Sequence, residues 1–197
     1  EHSLMALAFN GGTNVITGLA TGGLPDGSVD QDTLASSVNT ITYSDLYRLT
    51  SDFDGNADPI TSNWERADSS DSGYVGGVAA PSSGVFSFPV TGIWRVDLNA
   101  YFASLNHENP WPTYYIKATT DNSNYSTVAT NSNSVYDATD AWQYCSCAMH
   151  GILDVTNVSN VKVRVVAVND GNSSSVRTRG SSTENLTYIT FTRLGAT

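Results

Sequence analysis

The chain reads as an all-β protein, an antiparallel two-sheet sandwich with a short N-terminal arm, for three reasons. Apolar and polar residues alternate strictly over residues 93–103, the mark of a strand buried on one face. Turn clusters of Gly, Asn, Asp, Ser and Pro recur at the spacing of short strands. Beyond residue 50 no stretch keeps a helical period for three turns.

Composition agrees with that class. A length of 197 residues suits one β domain plus an appendage. A sandwich of that size buries roughly two-thirds of its unfolded surface, so it needs no covalent staples. Charged residues make up 14 %, against about 25 % in ordinary globular domains, and Ser, Thr, Asn and Gly take their place. The 9 basic and 19 acidic residues leave a net charge of −10. Such a surface repels phosphate backbones and anionic lipid, so nucleic acid is not an expected partner. No apolar run approaches the ~20 residues of a membrane helix, so membrane insertion is not expected. The first eight residues lack the basic and apolar regions of a signal peptide. Met5 is a candidate native start, with the four residues before it a cloning remnant.

Residues 1–42 form the predicted arm. Leu7, Phe9, Val15 and Ile16 make a hairpin-like piece around Asn10, Gly11 and Gly12. A Gly-rich stretch with a Pro25-Asp26-Gly27 turn follows, and residues 32–35 can begin a short helix. The segment has too few large apolar residues to fold alone and reads as a stalk, linker or packing arm.

Residues 43–197 form the predicted sandwich. Residues 52–59 and 68–77 are loops. A short strand over 85–90 ends at the Thr91-Gly92 turn, and the long strand 93–103 places Trp94, Val96, Leu98, Ala100 and Phe102 on one face. Further strands are predicted at 113–119, 125–129, 142–153, 161–168 and 186–194. Polar loops separate them at 104–112, 120–124, 130–141, 154–160 and 169–185. The strand at 161–168 is almost continuously β-branched, which suits a central position, with Lys162 and Arg164 on its outer face. Cys145 and Cys147 stand two apart on a strand, about 6.5–7 Å between Cα atoms, at the limit of disulfide geometry. They read as two buried free thiols, since two such ligands alone match no zinc pattern.

Several runs carry a family resemblance. The stretch from Gly84 through Phe86, Phe88, Pro89, Gly92 and Trp94 resembles the glycine–phenylalanine–proline–glycine–aromatic motif of C1q-type domains. Trp64-Glu65-Arg66 followed by Gly73-Tyr74, the Val-x-Val pattern within 158–165, and the close from Leu186 to Gly195 are similar to other strands of that family. The resemblance, over about 43–197, implies a C1q/TNF-like jelly roll and a homotrimer. Asn157 and Ser159-Asn160 stand where many complement-type members carry a Gly-Asp turn, so the likeness is to the wider superfamily. The runs at 22–29, 32–35 and 190–195 also resemble virion proteins of marine tailed phages. That likeness implies a trimeric fibre knob, appendage or head decoration, contacting other virion proteins and binding a host-surface glycan or protein receptor. The alternative is a secreted C1q-like adhesion or carbohydrate-binding module of a cell.

Candidate site residues follow. Tyr and Trp combine an apolar body with a polar handle and favour interfaces and sugar platforms. Tyr101, Tyr114 and Tyr188 are expected at the threefold contact, and Trp111 and Tyr136, in polar loops, are the glycan candidates. Asp52, Asp54, Asn56 and Asp58 place oxygen side chains around Gly55 and are candidate calcium ligands, although the spacing departs from the helix–loop–helix calcium loop. Neither His107 nor His150 has catalytic spacing, and no nucleotide or nucleophile-elbow motif occurs, so no enzyme is expected. Sequons at Asn124, Asn157, Asn172 and Asn185 matter only in a secreted eukaryotic chain.

Overall fold

The computed structural model describes residues 8–10, 15–17, 41–105, 111–134, 141–169 and 176–197, the first two stretches as backbone only. The chain divides into two units, Glu1–Thr40 and Ile41–Thr197. In the first, β1 (Ala8–Asn10) pairs antiparallel with β2 (Val15–Thr17), Phe9 opposite Ile16. The helix expected at 32–35 lies outside the described residues.

The second unit is an antiparallel jelly-roll sandwich, with no helix among the described residues. Its organising strand is β7 (Gly92–Ser104), where the alternation read from sequence becomes geometry. Trp94, Val96, Leu98, Ala100 and Phe102 are all buried, while Arg95, Asp97, Asn99 and Tyr101 look outward. Along one edge, β10 (Gln143–Val155) pairs with β7 over its whole length. On the other edge β13 (Tyr188–Gly195) and β12 (Val176–Thr178) share the pairing. Outside β13 lie β3 (Ser44–Leu49) and then β5 (Trp64–Arg66), and outside β12 lies β4 (Phe53–Asp54).

The second sheet runs β6 (Val85–Ser87), β11 (Lys162–Val168), β8 (Thr113–Thr119), β9 (Ser126–Ser132). The predicted central strand is flanked on both sides, with Val163, Val165 and Ala167 in the core and Lys162 and Arg164 outward. Aromatic rings lock the two sheets together. Phe86 meets Tyr47, Trp64 and Phe191 with ring centroids 5.6, 5.5 and 5.1 Å apart, and Phe102 meets Tyr114 at 6.0 Å. Such tilted and edge-on pairs add roughly 0.5–1.5 kcal/mol each beyond their burial.

Two strands form where the sequence reads as loop. β4 lies within 52–59 and β12 within 169–185. Both are too short to carry a period, and β12 exists because Val176 and Thr178 fill the core beside the end of β7. His150 lies in the interior of β10. Gly151 beside it continues the strand because Val128 packs over its Cα, where a side chain would collide. Cys147 is buried, Cys145 half-buried, and both thiols are free; burial pushes the Cys147 thiol up to about 11.

Candidate functional site on the exposed face of the large sheet

Register decides which side chains share the outer face of the large sheet. Across β7 and β10, Arg95 lies opposite Ile152, Asp97 opposite His150, Asn99 opposite Ala148 and Tyr101 opposite Ser146. On the other side, Tyr188 lies opposite Asn99, Thr190 opposite Asp97 and Thr192 opposite Arg95. Side chains at alternate positions project together, so these form one surface. Arg95 grips Asp97 with its guanidinium fork, Nε at 3.0 Å from both carboxylate oxygens and Nη2 at 2.6 Å from one. A depression of about 300 Å³ opens here, lined by Arg95, Asp97, Asn99, Met149, His150 and Tyr188.

Apolar and aromatic groups border this polar centre. Ile152 is 60 % exposed and Tyr144 48 %. Tyr101 stacks on Tyr144 with centroids 5.8 Å apart and planes 15° from parallel. Arg179 lies over the Tyr144 ring at 5.8 Å, and Arg177 over Trp142 at 5.0 Å. The sheet thus leaves a face of rings, one bare isoleucine and a central ion pair open to solvent.

Tyr101 and Tyr188 both stand on this face. Tyr114 does not, and this corrects the expectation for it. Its ring is fully buried between the sheets, and its hydroxyl lies 2.9 Å from Thr178 Oγ1, so it can reach no second chain. Burial pushes its hydroxyl pKa upward. Sequence reasoning missed His150 and Ile152 as residues of this face. The available signal was Ile152, an isoleucine in register with the polar positions of β10.

The four candidate calcium ligands are each engaged within the fold. Asp52 Oδ1 accepts a hydrogen bond from the Gly180 amide at 2.8 Å and faces Arg179. Asp54 receives both arms of Arg177, at 2.7 and 3.0 Å, and those bonds hold its carboxyl below the usual range. Asn56 Oδ1 accepts from the Asn169 amide at 2.6 Å. Asp58 meets Lys117 and Arg164 at 3.3 and 3.0 Å. Each acid is matched by a cation and they diverge. Among the described residues no cluster of three or more His, Cys, Asp or Glu converges as a metal site would require. Of the glycan candidates, Trp111 is 51 % exposed, and Tyr136 lies outside the described residues. His107 lies outside them too.

No family model matches the chain, and no curated protein does. Solved structures do. Eiger TNF from S. frugiperda superposes with a TM-score of 0.57 at 14 % identity, covering 79 % of this chain and 95 % of its own. Murine APRIL superposes with a TM-score of 0.52 at 12 % identity, covering 77 % of this chain and 98 % of its own. At such identities the likeness is one of backbone, and it establishes the fold: a TNF-like, C1q-like jelly-roll sandwich.

Proposed function

We propose that the chain is a non-enzymatic attachment module that works as a homotrimer, with recognition carried by polar loops such as that of Trp111. Its setting in this reading is a viral particle, as a fibre knob, appendage or head decoration of a marine phage contacting other virion proteins. The observation that carries the self-association is the outer face of the large sheet. Tyr144 and Ile152 are open to water there, beside Tyr101 and Tyr188. Exposed aromatic and apolar side chains set around a polar centre favour a partner surface. A threefold arrangement also triples each weak loop contact, which raises avidity without new chemistry. The likeness to Eiger TNF and APRIL supports the jelly-roll fold, and the trimer and the phage setting rest on the sequence resemblance.

Native mass spectrometry tests the core of this reading. A single species at three times the chain mass is expected at micromolar concentration. A folded species at one chain mass under the same conditions overturns it.

A further inference from the structure

The outer face of the small sheet carries a second feature, on the opposite side of the sandwich from the association face. The chain has 9 basic residues in all, and three of them, Lys117, Lys162 and Arg164, project from this one face. Arg164 on β11 is the register partner of Lys117 on β8. Like charges directly opposite each other across a strand pair are destabilising. One carboxylate answers them: Asp58, 46 % exposed, sits 3.0 Å from Arg164 and 3.3 Å from Lys117. It is held there because its segment adds to the edge of β11, where Ala57 pairs with Ala167 and the Ile60 amide donates to Val165.

The cluster therefore keeps a positive excess on a protein of net charge −10. The Nε of Arg164 is buried with no hydrogen-bond partner. Two aromatic rings frame the cations, the Arg164 guanidinium 4.1 Å from the Tyr125 centroid and the Lys117 ammonium 5.6 Å from that of Tyr115. Both β11 and β8 are hydrogen-bonded on each side, so the face offers side chains and no free strand edge to a peptide. A long polyphosphate would run off this small patch onto acidic surface. What matches is an isolated anionic group on a ring with C–H faces.

We propose that this patch binds the anionic group of an acidic saccharide, a uronate carboxylate or a sugar sulfate, with the ring against Tyr115 and Tyr125. Arg164 and Lys117 hold the anion by charge-assisted hydrogen bonds, and Asp58 competes with it. The site does not depend on the trimer or on the Trp111 loop, so it stands or falls separately from the proposed function.

Calorimetric titration of the full chain tests it, using a hexuronate oligosaccharide, a sulfated oligosaccharide of matched length and a neutral glucose oligomer. One or both anionic sugars bind at one site per chain, and the neutral oligomer does not; which anionic sugar binds identifies the source of the charge. Arg164→Gln and, separately, Lys117→Gln weaken binding at least about tenfold with unchanged thermal melts. Asp58→Asn strengthens binding, a gain that a purely structural ion pair would not produce. Binding of the neutral oligomer as tightly as the acidic ones, absence of binding by all three, or full affinity in a folded Lys117→Gln chain overturns the proposal.

Discussion

Tyr114 and Tyr115 are neighbours in sequence and end in opposite surroundings. Strand parity sends the first between the sheets and the second to the outer face beside Lys117. Tyr114 shares the parity of Ile116 and Ala118, and Tyr115 that of Lys117, so the strand's alternation points Tyr114 inward. The expectation of a subunit contact rests instead on tyrosine's apolar body and polar handle. The difference is measurable. Tyr114→Phe removes the bond to Thr178 and leaves a fully buried hydroxyl alone, at a cost of about 1–2 kcal/mol. In a domain of this size each kcal/mol lowers the melting temperature by roughly 2–4 °C. Tyr115→Phe, deleting a hydroxyl for which no bond is seen, leaves the melt unchanged. The same scale governs the acids of the candidate calcium loop. Alternating acids in 52–58 resemble a cation cage until their partners are seen, and those partners, Arg177, Arg179, Lys117 and Arg164, lie far along the chain.

Among the elements, legibility follows length. β7 and β10, each of 13 residues, declare themselves by alternation and share a full register. β4 and β12, of 2 and 3 residues, leave no periodic trace and exist because long neighbours offer them an edge. Turns are legible where backbone sterics leave one choice. Gly84 enters β6 with φ of +75°, and a Cβ there would press on the carbonyl of Ile60. That contact gives the first glycine of the resemblance motif a physical role, because the crossing of the 60–61 segment needs a residue without a side chain. Gly84→Ala is expected to destabilise the domain by about 1–3 kcal/mol from backbone strain alone, and more from the clash. Urea unfolding followed by tryptophan fluorescence measures it, and an unchanged midpoint would show that the turn relaxes freely.

For the whole molecule, the charge balance and the two outer faces set behaviour. A surface of net −10 keeps copies apart at long range, so the proposed association needs short-range burial on a defined face. If the large sheet supplies that face, subunit binding and folding are linked, and the melting temperature rises with protein concentration. Ile152→Asp places a charge on the most exposed apolar group of the face and should abolish that concentration dependence while leaving the fold intact. A slope identical to that of the parent chain would move the contact elsewhere.

The β class, the inward face of β7 and the outward cations of β11 are all determined by sequence alone. Each follows from a local rule, the two-residue period of a strand or the sterics of a turn, that operates within a few residues. Which acid meets which cation and the opposition of Lys117 to Arg164 are decided only by the tertiary structure. Those are contacts between strands, and they come from register and sheet order. Register is set by the packing of the two sheets together, over separations that no local pattern spans.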